Sequence, residues 1–414
     1  MNTSATQYKP YPAYKASGVD WLESVPEHWG IVGLRHACRF EYGDSLSGEN
    51  RSEGDVGVYG SNGLVGWHDA ANTLAPVVVV GRKGSFGKLN FSEQPVFAID
   101  TTYYIDERYT PNELQWLRYA LVPLRLDSSS KDSAVPGLSR EDAYQNKLPV
   151  PPPREQRAIA EFLDRETGRI DALIAKKLRL IELLEEKRTA LISHTVTKGL
   201  NPDAPMKPSG IEWLGEIPAH WEVKPLKHVT ELVNGAAFKP SDWSKKGTPI
   251  IRIENLNGGN SFNYFAGSMP SKCHVTKGDL LFGWSGNRGT SFGPFIWWRD
   301  GLHYLNQHIF RLMGFACNRK WFYYSLKAVT WYIEFEAHGI IGMVHVTKNK
   351  LGSIPLGLPP LAEQRAIADH LDHTTGRIDT LISKNRELID KLQERRSALI
   401  SAAVTGKIDV RGET

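Results

Sequence analysis

The hexapeptide EQRAIA occurs at 155–160 and again at 363–368, and its flanks show that the chain is internally duplicated. Aligned at a constant offset of 208 (363 less 155), the segments 155–197 and 363–405 run without a gap and agree at 27 of 43 positions. An earlier pair exists as well. SGVDWLESVPEHW (17–29) returns as SGIEWLGEIPAHW (209–221), at an offset of 192 (209 less 17). The order is therefore marker, block, helix, and then marker, longer block, helix. The blocks between, 30–153 and 222–361, share little evident sequence, so the repeated parts read as framework and the differing parts as the place for two different tasks.

The duplicated 43-residue segment contains no proline and a single glycine in its first copy. Apolar residues step by threes and fours: Leu163, Ile170, Ile174, Ile181, Leu184 and Leu191, matched by Leu371, Ile378, Ile382, Ile389, Leu392 and Leu399. That is a coiled-coil seam. Leu173, Leu180, Leu381 and Leu388 extend it to a broader apolar face. Both copies turn polar at the same places, Lys177 with Asn385 and Arg188 with Arg396, as residues that fix register do. Each helix would be about 65 Å long at 1.5 Å per residue. A lone helix of this kind would expose its stripe, and two related helices in one chain bury it on each other most simply when antiparallel. Two helices each packed on its own domain is the other reading. Prolines before each copy (PVPPPREQ, PLGLPPLAEQ) mark helix starts.

Within the first block, β-like runs separated by Gly and Asn clusters occupy 56–69, 76–91 and 96–106; in the second they occupy 248–265, 278–298 and 305–312. A helix is expected at 318–337, with 112–124 as its counterpart. The fold class predicted is α+β: two irregular β-rich domains joined by two long, antiparallel coiled-coil helices with a pseudo-twofold repeat. The expected boundaries are an N-terminal tail 1–14, a first domain 15–153, helix 154–198, linker 199–208, a second domain 209–361, helix 362–407 and a tail 408–414.

Composition excludes several classes. A hydrophobic share of 41% and a charged share of 23% are ordinary for a globular chain. The +4 net charge leans basic without by itself implying nucleic acid. The longest apolar runs, such as APVVVV, are too short to span a bilayer, and the N-terminus lacks an apolar signal segment, so a cytoplasmic location is expected. Three scattered cysteines, Cys38, Cys273 and Cys317, show no zinc-ligand spacing and read as reduced structural thiols.

No catalytic constellation emerges. GRKGSFGK (81–88) fails the phosphate-cradling pattern twice, since Arg82 stands where glycine is needed and Leu89 where Ser or Thr is needed, so a hairpin tip is expected there. No methyltransferase-type tetrapeptide appears; NPDAP (201–205) lacks the aromatic. Asp100 and Asp106 have no E-x-K partner of the nuclease type. His28 and His220 recur in the marker, which makes them structural by preference.

Loops rich in Asn, Ser, Gly, Arg and Lys suit base and phosphate recognition. On that ground Arg82, Lys83, Ser85 and Lys88 are the DNA-binding candidates of the first block, and Arg252, Asn255, Ser285, Asn287, Arg288 and Thr290 those of the second. Arg252 alternatively reads as a core-flanking ion pair, and Asn306, Gln307 and His308 as a buried polar network. The repeated helix residues Glu155, Arg157, Arg169, Glu363, Arg365 and Arg377 suit either helix-start capping or partner docking.

The repeated PxxEQRAIAxxLDxxTGRIDxLI helices, the repeated SGxxWLxxxPxHW markers and the two dissimilar blocks resemble the specificity subunits of type I restriction-modification systems, from about Ser17 to Lys407. LNQHIFRL and GDLLFGWSG also look like segments of that family's recognition domains. The resemblance implies a non-catalytic subunit whose two blocks are target recognition domains, each reading half of an asymmetric bipartite DNA site. The helices would set the gap and dock two methyltransferase subunits, with restriction subunits joining through the complex. No cofactor is expected in this chain; S-adenosylmethionine for adenine methylation, and ATP with Mg, belong to the partners. No metal site and no membrane association are expected. The competing reading is a coiled-coil scaffold with two β-rich protein-binding heads that do not touch DNA.

Overall fold

The computed structural model describes residues 8–128, 137–337 and 343–412; the first half of the expected N-terminal tail lies outside them. Two compact units divide the chain, 1–178 with 386–414 (unit 1) and 179–385 (unit 2). Each unit takes one block and one end of each long helix, so the units run across the helical spacers instead of stopping at them.

The central sheets of the two blocks are laid out alike. In unit 1, β1 (Glu41–Tyr42), β2 (Val77–Gly81), β3 (Leu89–Ser92) and β4 (Thr102–Ile105) form an antiparallel sheet in the order β1-β4-β2-β3. Unit 2 repeats it: β5 (Glu231–Asn234), β6 (Leu280–Gly283), β7 (Gly293–Ile296) and β8 (Ile309–Met313) lie in the order β5-β8-β6-β7, again antiparallel. The physical reason is shared. Four consecutive residues of β2 (Val77–Val80) and three of β6 (Leu280–Phe282) are fully buried, as expected of a strand covered on both faces. Each block also carries a smaller sheet, three-stranded in unit 1 (56–60, 63–68, 97–98) and four-stranded in unit 2 (248–251, 263–265, 274–275, 303–305).

The crossing into that smaller sheet is made at equivalent glycines. A Cβ on Gly43 would lie 2.2 Å from the Ile99 carbonyl oxygen, and one on Gly235 would lie 2.1 Å from that of Asn306. Backbone passes so close to backbone that no side chain fits. Behind each central sheet stands the expected helix, α1 (Leu114–Ala120) in unit 1 and α3 (Arg319–Glu336) in unit 2. Trp116 and Trp321 are wholly buried.

The long helices are α2 (Pro153–Lys198) and α4 (Leu361–Val404), about 69 and 66 Å at 1.5 Å per residue. Pro153 is the first residue of α2, where a missing N–H costs nothing. In unit 1 the start of α2 (Ile159, Leu163, Ile170) shares a core with the end of α4 (Leu399, Ile400, Ala403). In unit 2 the end of α2 (Ile192, Val196) shares one with the start of α4 (Ile367, Leu371). The pairing is therefore antiparallel in both units. All twelve seam residues are buried or half-buried.

The polar seam positions fix the register. Arg188 meets Asp379 at 2.5 Å in unit 2, and its repeat-mate Arg396 meets Asp171, the repeat-mate of Asp379, at 2.9 Å in unit 1. These pairs are half-exposed, so each contributes about 0–1 kcal/mol; their effect is on alignment. Asn385 is buried and donates to the Leu381 carbonyl at 2.7 Å. One expectation is corrected: Leu173, Leu180, Leu381 and Leu388 are 38–48% exposed. The seam is a narrow stripe, because with a single partner helix a position one step outside it faces solvent.

Candidate nucleic-acid interface

What holds a block on its helix explains why the two repeats exist. The marker of each copy reaches the first turn of its long helix. Glu155, buried at 8% exposure, accepts hydrogen bonds from His28 Nε2 (2.7 Å), Trp29 Nε1 (2.9 Å) and Tyr11 Oη (3.2 Å). Glu363 accepts from His220 Nε2 (2.8 Å) and Trp221 Nε1 (3.1 Å). The residues recur together because they touch each other. The two offsets differ because the second block between them is longer.

The next repeated residues clamp α1 in unit 1 and α3 in unit 2. Gln156 Oε1 accepts from the Glu113 backbone N–H (2.9 Å), and Gln364 Oε1 from that of Asn318 (2.6 Å). Tyr119 Oη donates to Asp164 Oδ1 (2.6 Å) and lies 3.1 Å from Thr167 Oγ1; Tyr324 Oη donates to Asp372 (2.8 Å) and lies 3.2 Å from Thr375. These ties extend the framework into blocks that look unrelated in sequence.

Glu155 and Glu363 thus anchor the markers. Arg157 pairs with Glu113 (2.6 Å) and Arg169 with Glu166 (2.6 Å) on the surface; Arg365 and Arg377 are exposed.

The stretches that hold most of the sequence candidates, 81–88 and 283–291, occupy the same place in their sheets. GRKGSFGK is the tip of the β2–β3 hairpin, as expected, and GWSGNRGTS is the tip of β6–β7. At both tips the residue after the strand-ending glycine reaches the loop before the sheet's last strand. Arg82 Nη1 donates to the Asp100 carbonyl (3.1 Å), and Trp284 Nε1 to that of Gln307 (2.8 Å). Each block therefore gathers its polar loops at one end of its central sheet.

The chemistry differs. In unit 1, Arg82 lies over the Tyr42 ring at 4.8 Å, and Arg140 over the same ring at 4.3 Å. Lys83 and Ser85 are exposed. Lys88 Nζ donates to Asn62 Oδ1 and its carbonyl, both at 2.8 Å, which brings in the tip of the 56–68 hairpin. The result is a cationic patch backed by an aromatic ring, suited to phosphate and guanine edges.

In unit 2, Asn287 and Thr290 are exposed. The Arg288 guanidinium donates to the Ala337 carbonyl, and Gly289 N–H to Glu334 Oε1 (3.0 Å), which pins the loop to the end of α3. Arg252 lies over Trp243 (5.4 Å) and donates to Asn263 Oδ1 (2.8 Å). It therefore works as a loop-edge anchor with a weak 3.5 Å contact to Glu254.

Asn255 and Ser285 are corrections. Asn255 is fully buried, accepts from the Arg252 N–H and donates to the Gly259 and Ser261 carbonyls, so its amide is committed to the loop. Ser285 is buried in a two-stranded ladder with His345. Conversely, Gln307 and His308 are exposed, so the 306–308 loop is surface and no buried network. Trp284 stacks on Phe310 (5.6 Å) and has His308 and His345 against it. Tyr42, Asn62 and Arg140 are not among the sequence candidates because they join the first loop only through the sheet topology, whereas Trp284 lies within its own loop and Gln307 and His308 read as buried.

Burial pushes the Cys38 and Cys317 thiols up to about 12, so neither is a nucleophile at neutral pH. Among the described residues no group of three or more His, Cys, Asp or Glu could hold a metal ion, and no helix is long and apolar enough to cross a membrane.

Each unit thus holds an equivalent sheet that ends in a polar loop cluster and a helix tied to the start of a long helix. Comparisons with known proteins point to a class, DNA-specificity components. Residues 218–391 match the family described as type I restriction modification DNA specificity domain. The chain is similar to the EcoBI specificity subunit of Escherichia coli, with 30% identity over 48% of this chain and 41% of that one. It is also similar to the MjaVIII specificity subunit of Methanocaldococcus jannaschii, with 27% identity over 69% and 68%. The match thus spans less than half the length of the first relative. A chain solved in work on complex assembly and conformational transition of the type I restriction-modification system has the same fold, at a TM-score of 0.68 over 93% of this chain and 99% of that one, with 16% identity. Residues 218–391 thus match a type I restriction modification DNA specificity domain, and the chain is similar to type I specificity subunits.

Proposed function

We propose that the chain reads an asymmetric, two-part DNA site, with the loop cluster of unit 1 on one half and that of unit 2 on the other. The observation that carries this reading is that the two clusters are equivalent in position and different in chemistry. Two copies of one reader would suit a palindrome; two different readers on one frame suit an asymmetric target. Arg82, Lys83, Ser85 and Lys88 serve the first half, joined by Arg140 and Asn62. Asn287, Thr290, Gln307 and His308 serve the second, with Arg252 and Arg288 shaping the loops.

In this reading 15–153 and 209–361 are target recognition domains and the two helices are the spacer that sets the gap. Their duplicated surfaces dock two methyltransferase subunits, and restriction subunits join through the complex. S-adenosylmethionine, ATP and Mg are held by those partners, and the assembly works in the cytoplasm. The near-neutral charge of this chain fits, since partners then supply much of the phosphate contact.

The test is to co-express the chain with the methyltransferase encoded beside it in a host lacking adenine methylation, and to map methylated adenines by long-read sequencing. A single split motif with a fixed unspecified gap is expected. A stable co-purified complex that methylates nothing would overturn the reading in favour of a protein-binding scaffold. Inserting four residues after Leu184, about 6 Å of helix, should change the gap and leave both halves unchanged.

A further inference from the structure

Unit 2 contains a cavity of about 500 Å³ away from its loop cluster. One wall is the outer face of α3, with Trp331, Tyr332 and Phe335; the other is the marker, with Glu212 and Trp213; the floor is the end of α2, from Ser193 to Lys198. Trp213 and Tyr332 stack, with ring centroids 5.6 Å apart and planes at 20°. Glu212 and Glu336 are exposed at its edge, and neither has an ion-pair partner among the described residues. Both lie near the Tyr332 phenol, which is pushed up first by burial and then by Glu336 and Glu212. The lining also holds His194 and one lysine, Lys198, whose ammonium keeps its charge but is held away by the Leu214 carbonyl at 3.1 Å and that of Glu216.

Among the described residues unit 1 has no equivalent wall. Its counterpart helix α1 ends at Ala120, so the wall that α3 builds from Ala328 to Glu336 is missing. The marker tryptophan there, Trp21, is simply exposed.

Aromatic faces and two exposed carboxylates, neither ion-paired among the described residues, form a receptor for a cation with a flat or apolar body. The same carboxylates repel phosphate, which argues against nucleic acid at this place. We propose that the pocket takes an arginine side chain presented by a protein partner, its guanidinium lying against Trp213, Trp331 and Tyr332 and pairing with Glu212 and Glu336. Among the described residues only unit 2 builds this wall, so the contact is one-sided. Identifying that partner as the methyltransferase rests on the proposed function; the pocket chemistry does not.

The experiment uses the full chain labelled with 5-fluorotryptophan, with the Trp213 and Trp331 signals assigned by Trp→Phe variants. It is titrated with the capped tripeptide Gly-Arg-Gly and with capped Gly-Gln-Gly. Saturable shifts of those two signals are expected with the arginine peptide only, weakened about tenfold or more in the Glu212→Gln/Glu336→Gln variant, whose substitutions are exposed and near-isosteric. Shifts that are absent, equal for both peptides, or unchanged in the double variant overturn the proposal. In parallel, the double variant should bind the methyltransferase about tenfold more weakly than the unaltered chain in calorimetry. Failure of the unaltered chain to bind methyltransferase counts against the specificity-subunit reading alone, and the fluorine titration still decides the pocket.

Discussion

Replacing Glu155 by Ala removes one carboxylate and orphans three donors. Trp29 is fully buried and Tyr11 nearly so, while His28 is half-exposed and regains water. Arg411, 3.6 Å away, keeps its 2.6 Å pair with Asp409. A buried donor left without an acceptor costs about 1–3 kcal/mol, so two of them, with the loss of charge-assisted bonds, amount to roughly 3–5 kcal/mol. The same change at Glu363 orphans one buried donor, Trp221, beside the exposed His220, and should cost roughly 1–3 kcal/mol. For a unit of about 200 residues, Glu155→Ala should lower the melting temperature of unit 1 on the order of 10 °C, at about 2–4 °C per kcal/mol. Calorimetry gives the transition, and hydrogen exchange read by mass spectrometry assigns it, since peptides from 14–29 should lose protection first. Glu155→Gln, which keeps one acceptor oxygen, should recover part of the loss. A stability within about 0.5 kcal/mol of the unaltered chain, or a larger cost at Glu363 than at Glu155, would refute the account of the markers as anchors.

Gly235→Ala places a methyl 2.1 Å from the Asn306 carbonyl oxygen; a loss of about 2–3 kcal/mol is expected, readable as a lower urea midpoint for unit 2, and an unchanged midpoint would show that the crossing has slack. Arg82→Ala should relax base choice in one half of the methylated motif and leave the other half intact, at about 1–3 kcal/mol of discrimination; methylome mapping that shows both halves altered would contradict separate readers. His303 is held below the usual histidine value by burial, against the raising effect of the Gly301 carbonyl. The unfolded chain then takes up the proton first, so the contribution of neutral His303 is lost as pH falls from about 6.5 toward the folded value. Urea midpoints of unit 2 at pH 7.5 and 5.5 should show that fall, and His303→Gln should flatten it.

The sequence by itself determined the frame. A repeat at two constant offsets requires two copies of one architecture, and a seam at three- and four-residue steps requires a helix partner, because an exposed apolar stripe of that length is unstable in water. It also located the hairpin tip at 81–88, since β-branched runs broken by Gly, Asn and Arg clusters have few other outcomes. It did not show that the two blocks share a sheet order, because strand order is set by buried contacts that many apolar sequences satisfy. Nor did it separate Asn255 from Asn287, which are alike in composition and opposite in burial. Only the tertiary structure brought Tyr42 under Arg82 and set Trp284 against the Gln307 carbonyl, because those contacts join residues far apart in the chain through a topology that local patterns do not encode. It alone showed why the markers recur: His28 and Trp29 meet Glu155, and His220 and Trp221 meet Glu363, more than a hundred residues on, where buried indole donors need an acceptor.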